Sequence, residues 1–362
     1  QIEVFLSSND SFFFPQLAQD FAAVADSLGY RRLTLHRTFV PESQPTTLAR
    51  RIARSCQQRQ GIIVFGNDHP AVHDALRRCR EAGVPAITLA TDLPGADRLC
   101  HVGINQLQVG RTAGLMLGRM TPRPGEVLMV SGRQDYSAHR LRIQGFREVL
   151  SQRFPHLQLS DVLAGEERRG QITSLVEQAL CRSRNIVGIY NTGLGNTQIA
   201  EALARHRREG DVCWITHERY NTTRQQLAKG SLALTLDQNT RQHAQLAIDL
   251  MLRHLESGYQ PQTYADGKVG HYPFSACRDT QRELFAKRGS AECLFLAGIV
   301  ELGSVILCIN VGTGIIDTVQ RYSCTEFISE VIHRSETEPG YAVFAGSGDL
   351  SAGNVYGFPS PR

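Results

Sequence analysis

The sequence predicts an α/β protein made of two doubly wound parallel-sheet lobes, and three observations support this. Short apolar runs alternate with amphipathic helical patterns up to about residue 260, as expected for parallel strands joined by crossover helices. The nine or ten predicted strands are more than a single open sheet usually contains, so two sheets are expected. A break falls at LCHVGINQLQVG, where a strand ends near Gly103 and the next helix opens a second series of βα units.

Each element follows from apolar periodicity and from the turn residues that flank it. The predicted strands are IEVFLS, RLTLHR, GIIVFG, PAITLA, LCHVGI, GEVLMVS, LQLSDVL, NIVGIYN, VCWITHE and LALTLD. The predicted helices cover roughly 13–28, 44–58, 70–82, 106–120, 137–153, 167–182, 196–209, 221–229 and 239–257. Helix 106–120 carries Gly110, Gly114 and Gly118 on one face, which predicts close approach of a neighbouring backbone.

The composition is that of a soluble globular protein. The chain has 362 residues, of which 41% are hydrophobic and 20% charged, with a formal net charge of +4. These values exclude disordered, collagenous and disulfide-framework proteins. Nearly all of the 39 basic residues are arginines interspersed with acids, so the charge does not indicate a nucleic-acid-binding surface.

Cysteine usage and the lengths of the apolar runs predict the cellular compartment in which the protein resides. The nine cysteines form no CxxC pair, and apolar neighbours, as in DVCWIT, favour free buried thiols and a reducing, cytoplasmic compartment. No signal peptide is visible, because the first apolar run has only strand length. We expect no membrane span at 293–310, because Glu301 at its centre would cost about 2.5–3.5 kcal/mol.

Polar residues follow almost every predicted strand. In doubly wound sheets the carboxyl ends of the strands bind ligands, so these residues predict a site for a small polyhydroxylated molecule. Planar groups would satisfy paired hydroxyls and aromatic faces would cover the C–H surface of a ring. The alternative is that polar strand ends only cap the helices that follow.

Three more specific chemistries are alternatives to this site. IVGIYNTGLGNTQIAEAL imitates a dinucleotide fingerprint with Glu218 at the next strand end, but Gln198 stands where the third glycine belongs. His69 and His73 lie four apart and could hold a metal, although Pro70 favours Asp68 or His69 as a helix cap. No GxSxG, Walker or HExxH motif occurs, so we expect neither an enzyme nor a cofactor.

Residues 1–260 resemble the effector-binding core of lactose-repressor (LacI)-type transcriptional regulators, which share their fold with periplasmic sugar-binding proteins. The stretches that carry this resemblance are SSNDSFFFPQLAQDFAAVADSLGY, GIIVFGNDHPAVHDALRRCREAGVPAITLATDLP, HVGINQLQVGRTAGLMLGRM, RLRIQGFREVL and GIYNTGLGNTQIAEAL. Glu218 departs from the family pattern, where Asp is usual. The strand ends and the resemblance together give as ligand-binding candidates Phe13, Phe14, Asp68, Thr91, Asp92, Arg142, Asn191, Glu218 and Gln238.

The resemblance also implies an organisation and partners. The expected lobes are 1–103 plus 238–268 and 104–237 plus 269–288, joined by three crossovers, with a tail of unknown role at 289–362. A carbohydrate-like effector would bind between the lobes of a homodimer and alter operator affinity through an N-terminal helix-turn-helix, which does not precede the first strand in this chain. The alternative is an extracytoplasmic sugar-binding protein of a transporter, and an NAD-dependent enzyme using GLGNTQ is a third possibility.

Overall fold

A computed structural model of the chain describes residues 1–9, 11–165 and 169–261, and three later strands at 275–278, 296–300 and 303–309. These residues form two parallel-sheet α/β units, which confirms the predicted fold class. The first unit comprises Gln1–Ile104, Gln134–Arg140 and Asn239–Tyr272. The second comprises Asn105–Arg133, Leu141–Gln238 and Pro273–Arg362.

The elements alternate in chain order. The strands are β1 (Ile2–Ser7), β2 (Leu35–Val40), β3 (Gly61–Val64), β4 (Ala86–Leu89), β5 (Cys100–Val102), β6 (Gly125–Ser131), β7 (Leu157–Ala164), β8 (Ile186–Asn191), β9 (Cys213–His217), β10 (Leu234–Asp237), β11 (Ser275–Arg278), β12 (Leu296–Val300) and β13 (Gly303–Ile309). The helices are α1 (Phe13–Ser27), α2 (Pro45–Ser55), α3 (Pro70–Glu81), α4 (Gln106–Met120), α5 (Ser137–Arg153), α6 (Arg169–Arg182), α7 (Asn196–Arg205), α8 (Asn221–Lys229) and α9 (Thr240–Ser257), with a 3-10 helix at Gly29–Arg31.

The first unit contains a parallel sheet of order β2-β1-β3-β4-β5. Successive residues of a strand point to opposite faces, and β3 shows what covers each face. Ile62 belongs to a buried apolar cluster with residues of α2 and α3. The neighbouring Gly61 faces Met251 of α9, whose sulfur would lie 2.4 Å from a Cβ at that position. Helices therefore cover both faces of the sheet.

The second unit contains an eight-stranded sheet of order β12-β13-β11-β10-β9-β8-β6-β7. Its part from β7 to β10 is parallel, whereas β11 is antiparallel to β10 and β12 is antiparallel to β13. In β8, Ile189 packs into a cluster with α6 and α7. The adjacent Tyr190 stacks on Phe146 of α5 at 4.3 Å between ring centroids. This sheet is likewise covered on both faces.

Helices α4 and α5 pack through the glycine face that the sequence predicts. A Cβ on Gly110 would lie 2.1 Å from the backbone oxygen of Arg142, and one on Gly114 would lie 3.0 Å from the backbone oxygen of Phe146. A Cβ on Gly118 would lie 2.2 Å from the ring of Phe154. The expectation of close backbone approach is confirmed, and this contact positions Arg142.

Two predicted segments differ from the structure. The second strand begins at Leu35 rather than near residue 32, because Arg32 adopts a left-handed conformation (φ 53°) at the end of the 3-10 helix. Parts of the tail that we expected to fit neither lobe, 296–300 and 303–309, pair in the second sheet. The three predicted crossovers fall near 103–105, 236–238 and 265–272, and the last of these lies outside the described residues, as does the remainder of 289–362. In the described part of the chain, no helix is both long and apolar enough to cross a membrane.

Two of the cysteines correct the expectation of free thiols. Cys56, just after α2, and Cys79 in α3 are joined by a disulfide, with their Cα atoms 5.2 Å apart. The sequence did not reveal this pairing, because the two residues lie 23 apart and meet only when α2 packs on α3. Cys100 is a free, buried thiol as expected, and burial raises its pKa to about 12.

Candidate functional site

The carboxyl ends of the strands carry backbone conformations that few residues adopt. Three residues at strand ends have a positive φ. Ala90 follows β4 (φ 61°), Glu218 follows β9 (φ 71°), and Asn239 lies two residues after β10 (φ 57°). Left-handed conformations cost energy in non-glycine residues and cluster at functional sites. These positions therefore indicate that a functional site lies at the strand ends.

In the first unit, aromatic rings form a continuous contact series at the carboxyl end of the sheet. Phe13 and Phe14 open α1, and their rings meet edge to face at 5.1 Å. Phe14 is buried and contacts Phe65, after β3, at 4.6 Å between centroids. Phe65 in turn contacts Tyr136 at 5.0 Å. Phe14 therefore belongs to the aromatic core, whereas Phe13 is only partly buried.

Asp68 and the histidines beside it form a local polar group. Asp68 pairs with His73 at 2.8 Å and with Arg140 at 2.9 Å. His69 is the N-cap of α3, and its Nδ1 accepts a hydrogen bond from the backbone N–H of Ala71 at 3.1 Å. The capping interpretation of His69 is confirmed. Among the described residues, no group of three potential ligands could hold a metal ion.

Thr91 and Asp92 lie in the turn after β4, and their side chains are already engaged in hydrogen bonds. Thr91 Oγ1 accepts from the backbone N–H of Ala138 at 3.2 Å. One oxygen of Asp92 accepts from the backbone N–H of Leu93 at 2.8 Å, and the other pairs with Arg98 at 2.9 Å. Both carboxylate oxygens of Asp92 therefore hold the turn together, and a role in ligand binding stays a prediction.

In the second unit, three predicted residues join one hydrogen-bonded network. Arg142 Nε donates to Oε1 of Gln106 at 2.7 Å, and its Nη1 donates to the carbonyl of Thr192 at 2.8 Å. Gln106 Nε2 donates to Gln238 Oε1 at 3.2 Å, and Gln238 Nε2 donates to Glu218 Oε1 at 2.5 Å. We call these five residues the Arg142 network.

The direction of every bond in the Arg142 network follows from the arginine. A guanidinium group can only donate, so Gln106 must turn its oxygen to Arg142 and its amide N–H groups to Gln238. Gln238 must then offer its own N–H groups to Glu218. Arg142 is 4% exposed and Gln238 is 5% exposed, so this fixed arrangement is buried. Arg142 is buried rather than solvated, although it lies near a strand end, because α4 packs closely against α5 and encloses the side chain.

Glu218 supplies the only carboxyl group of the Arg142 network, and its pKa is strongly perturbed. Loss of surrounding water and the negative charge of Asp237 raise the pKa of Glu218 to about 8, although Arg142 and Gln238 oppose the shift. Its left-handed backbone turns the chain after β9, and its carbonyl accepts from the hydroxyls of Thr223 and Thr235, both at 2.8 Å. The residue at this strand end is thus held firmly, and its raised pKa favours the neutral carboxyl.

Asn191 is bonded inside the turn between β8 and α7. Its Nδ2 donates to the carbonyls of Gly193 and Leu194 and to Oδ1 of Asn196, the last at 2.8 Å. The turn that imitates a dinucleotide fingerprint is therefore held by Asn191 from within. Sequence reasoning missed two members of the Arg142 network, Gln106 and Thr192. The signal for Gln106 was its place in GINQLQVG, directly after the helix N-cap Asn105.

A model of a known family matches most of the chain. The family is described as "Periplasmic binding protein domain", and the match covers residues 2–260. Curated relatives include the ribose import binding protein RbsB of Salmonella typhimurium and of Escherichia coli, each 23% identical over 150 residues. That alignment covers 41% of this chain, and the chain spans about half the length of these relatives, 50% of each.

Solved structures share the fold over a larger part of the chain. A glucose-galactose binding protein from Geobacillus stearothermophilus has a TM-score of 0.69 and 18% identity, covering 78% of this chain and 98% of its own. A solute-binding protein of an ABC transporter from Burkholderia graminis, in complex with D-arabinose, has a TM-score of 0.69 and 19% identity, covering 79% and 96%. At these identities the similarity concerns the fold.

Proposed function

Because the chain belongs to the periplasmic binding protein family, we propose that it binds a small sugar or sugar derivative without altering it chemically. The observation that carries this proposal is the Arg142 network at the carboxyl edge of the second sheet. A buried guanidinium, two amides and a carboxyl offer donors and acceptors in fixed directions, which suits a ligand with several hydroxyl groups. The names of the relatives, which include ribose, glucose-galactose and D-arabinose binding, support a pentose or hexose.

We propose further that the protein is an extracytoplasmic binding protein of a sugar transporter. The disulfide between Cys56 and Cys79 favours this role, because such bonds persist in oxidising compartments and are rare in the cytosol. The curated relatives are import proteins as well. Both points speak against our first expectation, a cytoplasmic regulator.

The second candidate function is the effector-binding core of a LacI-type regulator, acting as a homodimer on operator DNA. It is favoured by Cys100 and Cys181, which are free thiols and suit a reducing compartment. The gene upstream of the codon for Gln1 discriminates between the two roles. A helix-turn-helix there supports the regulator, whereas a secretory signal supports the transporter protein.

A thermal-shift screen against pentoses, hexoses, polyols, sugar acids and sugar phosphates tests sugar binding itself. A ligand at 100 times its Kd stabilises the folded protein by about 2.7 kcal/mol, which raises the midpoint by several degrees. We expect at least one sugar to give such a shift, and no shift with any of them would contradict the proposal.

The screen has a matched pair of variants on α5. Arg142→Ala should lose the ligand-induced shift, whereas the exposed Arg147→Ala should keep it. The ligand-free Arg142 variant should also melt earlier, because the oxygens of Gln106 and Thr192 lose a buried donor, at about 1–3 kcal/mol for each unsatisfied group. The informative quantity is therefore the shift on adding sugar and not the midpoint alone.

A further inference from the structure

Arg142 is a buried cation whose hydrogen-bond acceptors are neutral. Its two bonds go to an amide oxygen and to a backbone carbonyl, and among the described residues no carboxylate lies within salt-bridge distance. Two partly buried arginines, by contrast, have a carboxylate partner, Arg98 with Asp92 at 2.9 Å and Arg59 with Glu3 at 3.0 Å. A buried charge is costly unless an opposite charge or a strong set of hydrogen bonds accompanies it.

The guanidinium also has unused hydrogen-bonding capacity. Nε and Nη1 of Arg142 have acceptors, whereas Nη2 donates to no residue in the described part of the chain. Arginine has five N–H groups in one plane, so the end of the fork formed by Nη1 and Nη2 can still meet a planar, bidentate acceptor. A carboxylate has that shape.

The acid of the network, Glu218, forms no ion pair with this arginine. Hydrogen bonds connect Glu218 to Arg142 only through Gln238 and Gln106, although the charge of Arg142 also acts on the Glu218 carboxyl. Its Oε1 accepts from Gln238, and loss of surrounding water together with the charge of Asp237 raises the pKa of the carboxyl, which favours its neutral form. The other acid at this edge, Asp237, accepts from the backbone N–H of Arg219 at 3.1 Å.

Resting on the proposed sugar-binding function, we infer that the ligand is a sugar acid whose carboxylate pairs with Arg142. A single guanidinium compensates a single negative charge, which matches a carboxylate. A phosphate monoester carries about −1.5 to −2 charges at pH 7 and would need a second cation. The chemical class is therefore an aldonate or uronate and not the neutral sugar of the same stereochemistry.

Titration calorimetry of the full chain with matched pairs tests this inference. Each pair consists of a neutral aldose and its own acids, for example D-glucose with D-gluconate and D-glucuronate, or D-ribose with D-ribonate, with the corresponding sugar phosphate as a further arm. For at least one pair we expect the acid to bind roughly ten times more tightly than the neutral sugar, as one good charge-assisted contact allows. Arg142→Gln should remove this preference and Arg142→Lys should retain part of it, whereas Arg147→Gln should leave it unchanged.

The remaining outcomes of the titrations would contradict either the sugar-acid inference or the sugar-binding proposal. Neutral sugars that bind as tightly as their acids, or a preference that survives Arg142→Gln, would overturn the inference and leave the sugar-binding proposal intact. A sugar phosphate that binds more tightly than the matched acid would overturn the choice of a carboxylate. If no sugar of any kind binds, the proposed function itself fails, and this inference fails with it.

Discussion

Glu218 shows at the scale of a single residue what a sequence can and cannot reveal. Its position after an apolar strand marked it as a candidate, and its identity departs from the aspartate of the LacI-type pattern. Neither its left-handed backbone nor its raised pKa could be predicted, because both depend on neighbours distant in sequence, such as Asp237 and Gln238. The same holds for Arg142, whose burial follows from helix packing.

The raised pKa of Glu218 predicts a specific dependence of stability on pH. A carboxyl whose pKa is higher in the folded than in the unfolded state contributes stability that is complete below the unfolded value, 4.5, and is lost as the pH rises through about 8. Glu218→Gln removes this titration. Between about pH 6 and about pH 9, the melting temperature of the wild type should therefore fall further than that of the variant.

The exposed Glu209→Gln is the control for the pH experiment, and it should behave like the wild type. Equal pH dependence in the wild type and in Glu218→Gln would show that the Glu218 carboxyl is not perturbed as described.

Elements were predicted more completely than single residues. Apolar periodicity located the helices of both units, and their ends agree within a few residues except where a left-handed residue intervenes, as at Arg207 (φ 52°) after α7. The parallel pairing followed from strict alternation of strands and helices. The disulfide between Cys56 and Cys79 was missed, because it depends on how two helices pack.

The contact between α4 and α5 predicts a large effect for a small change. In Gly110→Ala the new methyl group would lie 2.1 Å from the backbone oxygen of Arg142, so the two helices must separate. We expect a loss of about 1–3 kcal/mol in the free energy of unfolding, measured by urea denaturation, together with weaker sugar binding. Gly170→Ala in α6, where nothing lies within 4 Å, should be neutral or stabilising. Equal effects at the two positions would contradict this packing.

Removal of the disulfide should destabilise the first unit. The bridge closes a loop between residues 23 apart, for which the chain-entropy model gives about 3 kcal/mol. The double variant Cys56→Ala/Cys79→Ala should therefore melt several degrees below the wild type, whereas the exposed Cys181→Ala should not. A wild type whose melting temperature is insensitive to dithiothreitol and equal to that of the double variant would show that the bond does not form.

At the scale of the whole molecule, each unit places polar and aromatic residues at the carboxyl edge of its own sheet. The predicted residues of the first unit divide into an aromatic series and turn-forming side chains. Those of the second unit converge, apart from Asn191, on the Arg142 network. The sequence predicted which strand ends to inspect, and the structure shows that the second unit holds the more cohesive candidate site.

The most direct test of the central claim is a crystal structure of the chain with the tightest sugar found in the screen. We predict that the bound sugar lies within hydrogen-bond distance of Arg142 Nη2 and of the Glu218 carboxyl, with the bonds among Gln106, Gln238 and Arg142 retained. A sugar bound at a place that touches none of these residues would contradict the account.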